Sequence, residues 1–370
     1  MDILEKRILS AFPISEWKRR RLCLAASGGA DSVALLCAFA AIANENGVYR
    51  NLHVVTVDHQ LRGEESDEDV EFVRALANKM QLSFEVRTIN RTTLAAETKR
   101  LSSLENAARN LRYQLLKDAA KDFGARFLLT AHHLDDQLET ILFRLFRGSG
   151  LDGLQGISST RPLDSSIALV RPMLRISKRE ILDYLNRLKQ DFRVDSTNEY
   201  PNFIRNRIRN ELIPLLNDTF PNRWKAALLR LSQQSRETSA YLDDHVDELE
   251  AQIRTEVRRK ERFRASLREL NVVSHEQSAS GSFIEIPIEP LRNANPVILK
   301  RYFRKLWRRM KWPLAEMGYD EWNRLVEIMS KGKASRQFPG NVAALFPEKD
   351  VLRLERLVHS EGAINPKRRQ

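Results

Sequence analysis

From Arg21 to about Leu151, short apolar runs alternate with longer stretches whose apolar residues recur every three to four positions. The short runs, residues 22–26, 53–57, 84–89 and 127–130, are rich in apolar and β-branched residues, and each leads into a turn or a polar segment. They predict strands of a parallel sheet. The intervening stretches, 31–44, 66–80, 104–123 and 135–146, carry helical spacing. Strands and helices in this alternation predict an α/β fold with a doubly wound parallel sheet. In such sheets ligands bind beyond the carboxyl ends of the strands, so segments 27–32, 58–62 and 131–136 are expected to converge on one crevice.

The pattern changes after this region. Segment 171–190 enters a helix through an Arg-Pro pair, and VDSTNEYPNFIRNRIRNELIPLL is polar, basic and poor in strand signals. The chain is expected to divide there, into a domain over 1–217 and a second over 218–370. Residues 224–265 hold a long charged helical pattern without Gly or Pro, followed by the Ser-rich run SHEQSASGS. A strand over 283–288, a helix over 297–311 and alternating apolar runs over 334–357 predict a mainly helical C-terminal domain ending in a small β element. The basic tail 365–370 is expected to fray.

Composition narrows the chemistry. Lys and Arg number 61 against 49 Asp and Glu, for a net charge of +12 and a pI near 9.8, which favours a polyanionic partner over a merely solvated basic surface. The two cysteines, Cys23 and Cys37, lie in apolar surroundings and read as reduced core residues. With no CxxC or CxxH pair, a zinc ribbon or iron–sulfur cluster built from this chain alone is disfavoured. No apolar run approaches the ~20 residues that span a bilayer. The N-terminus is broken by charges and does not look like a secretory signal. No membrane association is expected, and the cytoplasm, or an organellar stroma or matrix, is the expected compartment.

Between the first strand and its helix stands Ser27-Gly28-Gly29-Ala30-Asp31-Ser32. Glycines there let the backbone turn tightly and approach a ligand, while backbone N–H groups and the helix N-terminus attract anions. The alternative is a capped tight turn without a ligand. The spacing is neither GxxxxGK[ST] nor GxGxxG. A second cluster, Thr130-Ala131-His132-His133-Leu134-Asp135-Asp136-Gln137-Leu138-Glu139-Thr140, ends the fourth strand and opens a helix. Asp136 and Glu139 share a helical face there and are placed to hold a cation, unless they serve only the helix dipole.

A strand-SGGxDS-helix arrangement resembles the PP-loop of N-type ATP pyrophosphatases. HHLDDQLETILFRLFRGSGLDGL, DHQLRGEESDED at 58–69, SLENAARNLRYQLL at 103–116 and DSTNEYPNFIRNRIRNELIP at 195–214 make the chain similar to the tRNA(Ile)-lysidine synthetase family over about residues 20–217. The resemblance implies that ATP adenylates the C2 carbonyl oxygen of the cytidine at the first anticodon position of isoleucine tRNA with a CAU anticodon. Free lysine then displaces AMP. It also implies that Ser27 through Ser32 bind the ATP phosphates, that Asp31 and Asp136 support Mg2+ and catalysis, and that Arg205 stabilises the transferring phosphate or holds the tRNA backbone. Asp58, His59, Arg62, Arg109, Arg112 and Tyr113 match family motifs that line the ATP or lysine pocket. Asp135, Asp136 and Glu139 are all candidates to take the proton of the attacking amine.

For the tRNA, residues 300–311 contain seven basic residues and no acid. Helical spacing puts Arg301, Arg304, Lys305 and Arg308 on one exposed face, with Trp307 and Trp312 available for base stacking. Three other readings compete: a PP-loop tRNA thiolase, a PP-loop ligase acting on a small metabolite, and a non-catalytic RNA-binding protein. The thiolase is disfavoured by the cysteine count. Neither of the other two accounts for the charge and the intact motifs together.

Overall fold

The structure, a computed structural model, describes residues 1–60, 64–101, 103–194, 204–221, 223–266, 283–314, 316–331 and 336–357. The Ser-rich run, the basic tail, Arg62 and the DSTNEYPNF part of the polar segment lie outside the described residues. The chain forms two compact units, Met1–Arg236 and Glu237–Gln370.

The first unit is built on a six-stranded sheet: β1 (Leu22–Ala25), β2 (Leu52–Asp58), β3 (Ser83–Thr88), β4 (Phe127–Leu129), β5 (Thr160–Pro162) and β6 (Ala168–Val170), in the order β3-β2-β1-β4-β6-β5. All pairings are parallel except β5 with β6. Leu22 lies between Leu52 and Phe127, so the strand that leads into the SGGADS turn is central, with β2 and β4 on either side. Both faces are covered, which is why the inner strands are runs of apolar residues rather than alternating ones. The helix Ala30–Glu45, ADSVALLCAFAAIANE, is apolar around most of its circumference and accordingly buried almost throughout.

Each expected strand and helix of this region is present within a few residues. The β5–β6 hairpin was not anticipated, because three-residue strands at a sheet edge, one ending in Pro162 and exposed throughout, carry no periodic signal. Two helices, Ile3–Ala11 and Arg91–Leu101, are likewise additions. The first is fixed by a capping box, Asp2 accepting from the Leu4 amide and Glu5 from the Asp2 amide.

The second unit packs an antiparallel sheet, β7 (Phe283–Pro287), β8 (Arg336–Phe338), β9 (Val342–Glu348) and β10 (Val351–Arg356) in the order β7-β10-β9-β8, with the helices Pro296–Arg309 and Tyr319–Lys331. The long helix Trp224–Ser266 begins in the first unit and continues into the second. Its core holds Phe303, Trp307, Trp312, Trp322 and Leu352.

This core corrects one expectation. Trp307 and Trp312 are buried, stacked edge to face at 4.9 Å, and offer no ring to a nucleic-acid base. The basic face is also largely engaged. Arg301 bonds both oxygens of Asp243 at 2.8 and 2.7 Å, Lys305 bonds Asp247, and Arg304 lies over the Trp322 ring. Exposed pairs of this kind contribute about 0–1 kcal/mol each. Their larger effect is to neutralise a stretch whose sequence shows only positive charge.

Candidate active site

The SGGADS turn leaves the carboxyl end of β1 and enters the helix Ala30–Glu45. Gly28 has φ +85°, a conformation that L side chains rarely adopt, whereas Gly29 is extended at φ −69°. The two serines brace the turn: Ser32 Oγ donates to the Gly29 carbonyl at 2.9 Å and accepts from the Ser27 amide at 3.1 Å. Ser27 is exposed and its hydroxyl lies 3.3 Å from that of Ser32. The result is a rigid loop at a helix N-terminus, where unpaired N–H groups favour an anion.

The second motif arrives beside it because β4 pairs directly with β1. His133 is the N-cap of the helix Leu134–Phe146, and its amide is bonded by Asp136 at 2.9 Å. Its Nε2 stands 3.5 Å from Asp31 and 3.6 Å from Asp136, so one imidazole nitrogen faces the carboxylates of both motifs. Its Nδ1 faces both the Asp135 amide at 3.2 Å and the Asp135 carboxylate at 3.5 Å. Burial pulls the ring's pKa down. Hydrogen bonds to Asp135 and Asp31, with the Asp136 charge, overcome this and raise it to about 10. Burial pushes Asp31 up, but His133 and Lys178 hold its carboxyl below the ordinary value. Asp135 is pushed down to about 2, first by His133, against burial, and then by the Lys178 amide.

Lys178, which the sequence reading did not single out, is the third contributor. Its Nζ lies 2.6 Å from Asp31 Oδ1, and its backbone N–H donates to Asp135 at 2.8 Å. It is the first residue of the helix Lys178–Leu188, whose Ser177–Glu180 capping box was the available sequence signal.

Glu139, expected to share a cation-holding face with Asp136, is engaged by Arg209 instead. It is buried and gripped by Arg209, whose Nε and a terminal nitrogen stand 2.6 and 2.9 Å from its two oxygens, while Asp136 lies 3.9 Å away from the same guanidinium. Arg209 sits in a π-helical turn, Ile208–Leu212, which shifts the helical register. Arg205, one turn earlier, is exposed and lies over the Phe143 ring at 5.3 Å. It is therefore Arg209 that the fold brings to the carboxylates.

Of the other motif residues, Asp58 is buried and accepts from Ser66 and the Gln60 amide, a structural role at the end of β2. Arg144 binds the Gly153 and Gly156 carbonyls and so anchors the glycine-rich segment. Among the described residues no group of three or more His, Cys, Asp or Glu is arranged to hold a metal. Asp31 and Asp136 both approach His133 Nε2, and Mg2+ commonly takes only one or two carboxylates beside phosphate oxygens and water. Cys23 and Cys37 are buried, and burial pushes both thiols up, Cys37 to about 12. Neither is a ready nucleophile. Among the described residues no helix is long and apolar enough to cross a membrane.

A tRNA(Ile)-lysidine synthase of Chlorobaculum tepidum is 34% identical over 226 residues, covering 61% of this chain and 66% of that protein. The tRNA(Ile)-lysidine synthase of Bacteroides thetaiotaomicron is 39% identical over 236 residues, covering 64% and 52%. The chain thus spans between half and two thirds of the length of these relatives. A solved U34-tRNA thiolase from Methanococcus maripaludis overlays with a TM-score of 0.49 at 13% identity, covering 62% of this chain and 77% of that one. The PP-loop domain family matches residues 3–216, the stretch that carries the SGGADS turn, His133, Asp136 and Lys178, and the chain belongs to that family.

Proposed function

We propose that this protein uses ATP to adenylate the C2 carbonyl oxygen of the cytidine at the first anticodon position of isoleucine tRNA, and joins free lysine to that carbon to form lysidine. The observation that carries the reading is the meeting of Asp31 and Asp136 around His133, which puts a phosphate-binding loop and a carboxylate pair within one residue's reach. The relatives' names point to an isoleucine tRNA and to lysidine.

In this reading Ser27, Gly28, Gly29, Ala30 and Ser32 hold the ATP phosphates through N–H groups and hydroxyls. Asp31 and Asp136 would hold Mg2+, which when bound neutralises phosphate charge. Lys178 and His133 keep Asp31 ionised and aimed, and His133 also faces Asp136. Arg205 serves the tRNA backbone or the transferring phosphate from its exposed position. Residues 1–217 act as the ATP pyrophosphatase domain and 218–370 as the tRNA-binding domain, in the cytoplasm or an organellar equivalent.

The attacking amine has an ordinary pKa of about 10.4 and must shed a proton. Asp135, held down to about 2, is a poor acceptor. Glu139, whose carboxyl burial raises, is the better acceptor of the two.

The test is pyrophosphate release from ATP with CAU-anticodon isoleucine tRNA, with and without lysine, followed by mass analysis of the nucleoside. A lysine adduct on cytidine is expected, and Asp31→Ala and Asp136→Ala should lose adenylation while remaining folded. Absence of ATP turnover with any tRNA would overturn the reading in favour of a small-molecule ligase or a binder.

A further inference from the structure

The SGGADS turn has a second attachment besides Lys178. The helix Lys178–Leu188 ends at Lys189, whose φ is +50°, and a few residues later the chain runs alongside the turn. There the Arg193 amide donates to the Gly28 carbonyl at 2.9 Å, and Arg193 pairs with Gly29 in a parallel bridge. The Arg193 guanidinium reaches the helix Glu64–Lys79, its Nε donating to Asp69 at 3.0 Å and a terminal nitrogen to Glu68 at 2.6 Å. Phe72 and Val73 of that helix, with the Arg193 side chain, come within 3.6 Å of where a Cβ on Gly28 would sit. One residue thus ties the turn to the acidic run at 64–69.

A trans peptide is planar and sets its C=O and N–H in opposite directions. The bond from Arg193 to the Gly28 carbonyl therefore turns the N–H of the same peptide, that of Gly29, away from Arg193. Among the described residues that N–H has no acceptor, and only Ser27 Oγ, at 3.8 Å, lies near the place of an added Cβ on Gly29. Gly29 is the N-cap of the helix Ala30–Glu45, at the positive end of its dipole. A free N–H in that place is a donor for a phosphate oxygen. The ion pairs of Arg193 are partly exposed, and pairs of that kind add little to stability. Their geometric effect is larger: two carboxylates at adjacent helix positions fix an arginine whose backbone aims the turn.

We infer that Arg193 is a positioning residue for phosphate binding: held by Glu68 and Asp69, its backbone orients the Gly28–Gly29 peptide so that the Gly29 N–H meets the pyrophosphate portion of ATP. The inference rests on the reading above that the SGGADS turn holds the ATP phosphates. Arg193 acts on the ligand only through Gly29. Glu68 and Asp69, although negative and close to an anion site, then favour the anion, because they hold the residue that aims its donor.

The test is calorimetric titration of the full chain with inorganic pyrophosphate in the presence of Mg2+, and separately with adenosine. Glu68→Gln combined with Asp69→Asn should weaken pyrophosphate binding by about 10-fold, the lower end for a hydrogen bond to a charged group. Adenosine binding and the melting temperature should stay near wild type. By charge alone, removing two carboxylates beside an anion site would tighten pyrophosphate binding, so the sign of the change separates positioning from field. Arg193→Gln should show the same selective loss, and Arg193→Lys, which keeps the charge, should recover part of it. Tighter or unchanged pyrophosphate binding by the Glu68→Gln, Asp69→Asn chain would overturn the inference, as would a parallel loss of adenosine binding. Lysidine formation by wild type is scored separately. A protein whose pyrophosphate affinity depends on Glu68 and Asp69 but which makes no lysidine would keep this inference and lose the proposed function.

Discussion

The ammonium of Lys178 lies 2.6 Å from the Asp31 carboxylate across 147 residues of sequence, and the backbone N–H of the same lysine holds Asp135. One residue at a helix start thus ties the loop after β1 to the loop after β4. It fixes Asp31 in place while leaving the other oxygen of that carboxylate toward His133.

Lys178→Met should therefore lower the rate of ATP-dependent adenylation by about 10- to 100-fold, the worth of one charge-assisted hydrogen bond. Because the Lys178 side chain is 41% exposed, the melting temperature should change little. A variant with the wild-type pyrophosphate-release rate would make the lysine a surface residue only.

The buried Glu139 carboxylate depends on Arg209 for both of its oxygens. Arg209→Ala should cost about 1–3 kcal/mol in urea unfolding, below the figure for a wholly buried pair because the arginine is 45% exposed. The double variant Arg209→Met with Glu139→Gln should recover part of that loss, since no charge is then left unpartnered. Additive losses would show that the two residues act independently.

His133 carries a pH dependence of defined sign. Its folded pKa, about 10, lies above the unfolded value of about 6.5, so its contribution to stability is complete below about pH 6.5 and is lost as pH rises through about 10. Melting curves between pH 7 and 10 should fall more steeply for wild type than for His133→Gln. Parallel curves would mean that His133 is not the imidazolium that Asp31, Asp135 and Asp136 surround.

The two glycines of the turn should respond differently. Gly28→Ala places a side chain at φ +85° and should destabilise the fold by about 1–2 kcal/mol. At Gly29 an added Cβ would meet nothing closer than Ser27 Oγ at 3.8 Å, so Gly29→Ala should melt near wild type. If Gly29 is kept open for the phosphates, that variant should still bind ATP more weakly, as an equilibrium titration would show.

Much of this protein is written locally. The apolar runs and helical periods of residues 22–146 are properties of neighbouring positions, and they forecast the strands and helices of the first sheet because burial on both faces demands continuous apolar strands. SGGADS is similarly legible, since its φ requirement and its place between strand and helix are local facts. The edge hairpin of β5 and β6 was not legible, because three exposed residues paired at a sheet edge follow no periodicity.

The tertiary structure decided the partners. Sequence alone offered Asp136 and Glu139 as a pair on one helical face, but the π-helical turn carries Arg209 to Glu139 and leaves Asp136 with His133 and Asp31. Similarly, seven basic residues in 300–311 read as an open cationic face until Asp243, Asp247 and Glu250 are seen to answer Arg301, Lys305 and Arg309. Composition counts charges, whereas an ion pair depends on distances of a few ångströms between residues far apart in the chain. Only the packing of helices and the order of strands fixes those distances, which is why the sequence determined the elements and the phosphate turn, and the fold alone determined which charge meets which.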